Sequence, residues 1–207
     1  MKTLSIGLVA LLLFSFSACT APLYHKGDIA VINAIIENNG LKCEKAPADG
    51  SSVPEDWDFE ICVTWSDDET NKRIIELDLF TEKLIGRLDL SRLAKLEILD
   101  CSYNDLTSLN VSGLANLKKL DCSDNELTSL KVSGLSALEV FDCSCNELAS
   151  LKLSGLANLK NLNCWSNQLT SLDLSGLTNL TELDCDYNNL SSLDISKLPN
   201  LKNLKCD

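Results

Sequence analysis

From Leu96 onward the chain repeats itself every 21 residues. The units read LEILDCSYNDLTSLNVSGLAN, LKKLDCSDNELTSLKVSGLSA, LEVFDCSCNELASLKLSGLAN, LKNLNCWSNQLTSLDLSGLTN and LTELDCDYNNLSSLDISKLPN, followed by LKNLKCD. A period of this length means that each unit is one small supersecondary element, too small to bury its own apolar face, so successive units must stack. Within a unit, Leu120 and Cys122 alternate with Lys119, Asp121 and Ser123. A period of two is a short strand with one buried face. Stacked strands of this kind predict an α/β solenoid, a right-handed superhelix with a parallel β-sheet on its concave face. Asn104, Asn125, Asn146, Asn167 and Asn188 follow the strands. Amides buried there need partners, so they predict an internal polar ladder. The second half of each unit, rich in Ser, Gly and β-branched residues, predicts extended chain with a one-turn 3₁₀ segment rather than a long helix.

Ahead of the repeats, GDIAVINAIIENNGL sets Asp28 as N-cap, apolar residues at 29, 31, 32, 35 and 36, and Gly40 as a stop. These specify an amphipathic helix, the N-terminal helical cap of the solenoid. The aromatic segment that follows leads into an irregular first unit, in which Leu77 and Leu79 take the places of Leu99 and Cys101. The opening MKTLSIGLVALLLFSFSAC has one charge and an apolar run too short to span a bilayer, the pattern of an export signal. Its end, FSAC, resembles a bacterial lipobox, which implies lipidation of Cys19. The alternative is cleavage near Ala21, which Pro22 disfavours. The expected division is a lipoprotein-type signal peptide over 1–18, a tether over 19–27, the cap over 28–73 and leucine-rich repeats over 74–207. The last unit is broken off at Asp207, and its edge is expected to fray or to be covered by a partner.

The form LxxLxCxxNxL is the leucine-rich repeat signature with cysteine in a leucine slot. The body from about Ile74 to Asp207 resembles the repeats of bacterial surface proteins of the internalin type. LDCSDNELTSLKVS is most similar to the internalin J subclass, whose 21-residue units carry a cysteine ladder. The resemblance implies adhesion or protein binding. The lipobox-like start, in place of a wall-sorting motif, implies attachment to the membrane by an N-terminal lipid.

Nine of the ten cysteines, all but Cys19, fall into three groups. Cys101, Cys122, Cys143, Cys164, Cys185 and Cys206 recur at intervals of 21 on the inward side. Parallel neighbours at strand spacing neither converge on a metal nor point at one another for disulfides. They read as a structural ladder of small buried hydrophobes, with no metal and no cofactor. Cys43 and Cys62 flank the Pro/Gly/Ser-rich stretch KAPADGSSVPED. A disulfide between them would close a loop and contribute about 3 kcal/mol; the alternative is two separate buried thiols. Cys145 sits at a variable position and is expected to be partly exposed.

With 18 basic residues against 30 acidic and a formal net charge of −12, the chain is unsuited to nucleic acid and, its lipid apart, to anionic membrane. The only histidine, His25, lies outside the repeats, so no Ser-His or Cys-His pair can form there. Variable outward residues on the concave strands are where a ligand would dock. They include Asp100, Asp121, Asp142 and Asp184, with Tyr103, Trp165 and Tyr187 beside them. Aromatics flanked by acids suit a protein or glycan ligand. The expected function is non-catalytic recognition of a protein or glycan at the cell envelope. The alternatives are self-association through the C-terminal edge and, more remotely, a carbohydrate-active enzyme.

Overall fold

The structure, a computed structural model, describes residues 23–58 and 61–207. The expected signal segment and Cys19 lie outside the described residues. Among the described residues ten strands are present: β1 (Val63–Trp65), β2 (Ile74–Asp78), β3 (Ile85–Asp89), β4 (Ile98–Asp100), β5 (Asp105–Asn110), β6 (Lys119–Asp121), β7 (Val140–Asp142), β8 (Asn161–Asn163), β9 (Glu182–Asp184) and β10 (Asn203–Lys205). Eight of them form one sheet in the order β1-β2-β4-β6-β7-β8-β9-β10. From β2 onward every pairing is parallel, and Leu99 pairs with Leu120, Leu120 with Phe141 and Phe141 with Leu162. This is a parallel solenoid of about six turns, as the repeat requires.

The constant register is enforced from inside. Leu99, Cys101, Leu120, Cys122, Leu135 and Leu138 are all fully buried, so a one-residue slip would turn this row to water. The asparagine ladder fixes the same register through hydrogen bonds. Asn146 Oδ1 accepts from Leu127 N (3.0 Å), while its Nδ2 donates to Cys122 O (3.0 Å) in the previous coil and to Cys143 O (3.2 Å) in its own. Asn104, Asn125, Asn167 and Asn188 repeat the arrangement. One amide thus satisfies backbone groups that no strand ladder reaches.

The residue before each of these asparagines is left-handed: Tyr103, Asp124, Cys145, Ser166 and Tyr187 have φ between 50° and 54°. That conformation costs a non-glycine residue on the order of 1–2 kcal/mol, and the ladder's buried hydrogen bonds hold it in place. On the convex side the expected 3₁₀ segment is instead two successive single turns per unit, as in Leu135 N to Val132 O (3.3 Å) and Leu138 N to Leu135 O (3.0 Å). The glycine inside the first turn, with φ of 91° at Gly134, re-aims the chain too sharply for a helix to continue. Parallel pairing of β3 with β5 adds a second, two-stranded sheet on this side, which the sequence did not suggest.

The N-terminal end is closed by α1 (Lys26–Asn39) and by β1, which pairs antiparallel with β2. Ile29, Val31, Ile32, Ile35 and Ile36 are buried as expected, and Gly40 ends the helix in the left-handed region with its N–H on Ile36 O. Asp28 is not the N-cap. That place is held by His25, and Asp28 lies fully buried in the first turn. There it accepts from Arg73 Nε (2.9 Å) and Nη2 (3.0 Å) and from Ile74 N (2.9 Å). His25 Nδ1 stands 2.9 Å from Asp28 Oδ1 and 3.3 Å from Asp28 N. One nitrogen cannot donate to the carboxylate and accept from the amide at once. The shorter contact, to an acceptor-only group, assigns the proton to Nδ1. Trp57, fully buried, donates to Glu44 O (2.8 Å) and stacks on Trp65 at 6.5 Å between ring centres.

Candidate functional site

Strand alternation aims two rows of side chains at the concave surface. One row, immediately before each inward leucine or phenylalanine, runs Glu76, Ile98, Lys119, Val140, Asn161, Glu182 and Asn203; the other, immediately after it, runs Asp78, Asp100, Asp121, Asp142, Asn163, Asp184 and Lys205. The aspartates are half-buried and each is committed to a local turn. Asp121 Oδ1 accepts from Ser123 N (3.1 Å) and Ser123 Oγ (2.7 Å); Asp100 does the same for Ser102, and Asp142 for Ser144. The serines, expected to point outward, are consequently buried. Their hydroxyls have folded back onto the carboxylates, the competition that short polar side chains offer to an extended strand.

What the acids leave for a ligand is their second oxygen, and part of that is taken. Asp142 Oδ2 accepts from Asn163 Nδ2 (2.8 Å) and Asp184 Oδ2 from Lys205 Nζ (2.8 Å). Burial, followed by repulsion from Asp142 and Asp100, pushes the Asp121 carboxyl above its ordinary value despite the bonds from Ser123. A shallow depression of about 450 Å³ opens over β7 to β10, lined by Val140, Asp142, Asn161, Asn163, Glu182 and Lys205 among others. Its polar groups come from both charges and from amides, with Val140 exposed at its edge.

The aromatics gather into two pairs at the strand ends. Trp165 and Tyr187 meet edge to face at 5.6 Å, and Phe80 and Tyr103 at 5.3 Å. Tyr187 is 71% exposed and Tyr103 57%, whereas Trp165 is half-buried. Both tyrosines occupy the left-handed position, which swings their rings off the sheet to its rim. The pairing of Phe80 with Tyr103 across coils had no signal in the sequence.

The cysteine ladder is inward from Cys101 to Cys185, and these five thiols are buried. They are more than small hydrophobes. Cys101 Sγ donates to Asp121 O (3.4 Å), Cys122 Sγ to Asp142 O (3.5 Å) and Cys185 Sγ to Lys205 O (3.3 Å), carbonyls of the following coil that leucine could not reach as a donor. Burial drives the thiols of Cys101, Cys122, Cys143 and Cys164 far above the ordinary range, and that of Cys185 to about 11. They are inert as nucleophiles. Cys206, in the last described coil, is exposed. Cys145 is partly exposed, and burial followed by the Asp124 carboxylate raises its thiol to about 11. Among the described residues no group of His, Cys, Asp and Glu is placed to hold a metal ion, and no helix is long and apolar enough to cross a membrane. Cys43 is buried and Cys62 exposed, at the left-handed φ of 31°.

The family described as leucine-rich repeats in two copies matches residues 157–197, and that described as a single leucine-rich repeat matches 95–117 and 116–138. No curated protein matches the chain. Among solved structures, the functional domain of InlJ from Listeria monocytogenes, described as including a cysteine ladder, is 34% identical over 64% of this chain and 30% of that one, with a TM-score of 0.62. A leucine-rich repeat protein of Leptospira interrogans is 28% identical over 64% of this chain and 36% of its own, with a TM-score of 0.56. The match therefore spans about a third of the length of either. The leucine-rich repeat ectodomain of the receptor kinase SOBIR1 from Arabidopsis thaliana, 22% identical over 79% of this chain and 94% of that one at a TM-score of 0.63, shares the fold.

Proposed function

We propose that the chain, whose leucine-rich repeats are similar to those of internalins, is a non-catalytic binding protein whose concave face recognises a protein ligand. The observation that carries the reading is the pair of aromatic clusters, Phe80 with Tyr103 and Trp165 with Tyr187, standing at the rim of a sheet whose floor is half-buried carboxylates and amides. Rigid aromatics contribute contact area at low entropic cost, and such residues dominate binding energy at protein interfaces. A glycan would use the same rings by stacking. Asp100, Asp121, Asp142 and Asp184 then act as a polar floor rather than as anchors, since a turn already occupies one oxygen of each.

Capture from cell-envelope fractions on the immobilised protein, with Trp165→Ala beside it, tests this. The variant should keep its circular dichroism spectrum and lose affinity by about tenfold, equivalent to about 1.4 kcal/mol. Equal capture by both proteins would sink the concave-face reading.

Export and attachment by lipid at Cys19 belong to the same proposal, which places the solenoid at the membrane surface of the envelope. The disulfide between Cys43 and Cys62 belongs to it as well. Alkylation followed by intact-mass measurement with and without reductant should find one protected pair, and full alkylation without reductant would refute it. A second reading, self-association through β10, is favoured by that strand's place at the end of the sheet and by the exposure of Ile195 in the last coil. Light scattering decides it: a monomer at high concentration removes it.

A further inference from the structure

On the convex side each coil carries one residue two places before a turn serine. The row runs Asp89, Asn110, Lys131, Lys152, Asp173 and Asp194. In four of these coils the side chain offers an oxygen to the serine amide: Ser91 N to Asp89 (3.1 Å), Ser112 N to Asn110 (3.2 Å), Ser175 N to Asp173 (2.9 Å) and Ser196 N to Asp194 (2.9 Å). Ser91 and Ser112 add their hydroxyls to the same oxygens. Lys131 and Lys152 have no oxygen to offer. Among the described residues no side chain accepts from the amides of Ser133 or Ser154, and neither lysine is in an ion pair.

These two exceptional coils are adjacent, with Lys131 paired to Lys152 in parallel register. Between them lies a groove of about 350 Å³, lined by both lysines, by Ser129, Ser133, Ser150 and Ser154, and by Leu130 and Val132. No carboxylate lines it, although the chain as a whole carries a net charge of −12. Four serines and two lysines therefore share one space, with Asn110 and Asp173 next along the row in the flanking coils.

We propose that this groove binds a phosphate group, whose oxygens accept from the Ser133 and Ser154 amides as the Asp and Asn oxygens do in the sibling coils, while Lys131 and Lys152 neutralise its charge. Two donors one strand spacing apart, about 4.8 Å, call for an anion with several oxygens. Two lysines call for a charge near −2, which a phosphate supplies and a single carboxylate does not. Hydrogen bonds from charged donors and exposed backbone amides are the usual means of holding such a group. The site lies on the convex side, so it stands or falls independently of the concave-face reading.

The whole protein, labelled with nitrogen-15, is titrated with inorganic phosphate. The expected result is a saturable, millimolar shift of the Ser133 and Ser154 amide resonances, abolished in the double variant Lys131→Asp, Lys152→Asp and retained in Lys119→Gln. The double variant regains the aspartate turn of the sibling coils, so it should fold as the parent does. Flotation with phosphatidylcholine vesicles, with and without phosphatidylglycerol, separates the sources. Binding only to anionic vesicles, lost in the double variant, identifies a lipid headgroup, whereas phosphate shifts without vesicle binding identify a soluble phosphate. Shifts that do not saturate, or that persist in the double variant, overturn the proposal.

Discussion

Asp121 shows how a residue that looks functional in the sequence is divided between two tasks. One oxygen closes a turn on Ser123, and the other faces the concave surface between Asp100 and Asp142 in the adjacent coils. Burial and then those two neighbours raise its carboxyl, so the folded chain takes up a proton more readily than the unfolded one. The sign follows from linkage. The stability this group contributes is fully present below the ordinary carboxylate value and is lost as the pH rises through the raised folded value. Asn163 already fills the same position in the fourth unit, where its Oδ1 accepts from Trp165 N at 3.1 Å. Asp121→Asn should accordingly keep the turn and remove the repulsion. At neutral pH the variant should be more stable than the parent by a few tenths of a kcal/mol, modest because the site is partly solvated. The gain should fade as the pH falls below the ordinary carboxylate range. Urea denaturation at both pH values checks this; a variant less stable than the parent at neutral pH would show that the charge itself supports the fold.

The cap helix was legible in its apolar spacing and in Gly40, because both are local. The role of Asp28 was not, since its partner Arg73 lies 45 residues away and becomes a neighbour only when β2 packs under α1. An acid near the start of a helix reads as a cap on sequence alone, whereas burial makes this one the tie between cap and first coil. Its two oxygens receive Arg73 Nε, Arg73 Nη2, Ile74 N and His25 Nδ1, so every contact requires an acceptor. Asp28→Asn presents an amide N–H₂ to one of these donors and leaves Arg73, only 18% exposed, without its counter-charge. Breaking a buried pair from one side costs about 3–5 kcal/mol. Thermal denaturation should show either a large loss of midpoint or an early transition in which α1 and the tryptophan pair Trp57 and Trp65 detach first, followed by tryptophan fluorescence. An unchanged transition would mean that the apolar face of α1 alone holds the cap.

For the molecule as a whole, the repeat settled the architecture because a period of 21 with one inward stripe has few ways to bury itself. The same period also told which strand residues face the concave side. It did not tell how the aromatics stand, since alternation ends where the strand ends and the next residue turns left-handed, carrying Tyr103 and Tyr187 to the rim. A solenoid's coils contact only their neighbours, so stability is close to a sum of coil and interface contributions. Removing whole units should then preserve every remaining interface. Deleting residues 117–158 joins Asn116 to Leu159, which repeats the native junction of Asn158 with Leu159. The surface charges agree as well: Lys118 pairs with Glu97 and Lys160 with Glu139, both at 2.6 Å, and after the deletion Lys160 faces Glu97. The shortened chain should unfold in one cooperative transition, with a urea m-value reduced in proportion to the surface removed. Deleting residues 138–148, about half a unit, would instead set strand residues against convex turns and should abolish cooperative unfolding. If the two deletions behaved alike, the coils would not be the independent stacking units that the sequence repeat implies.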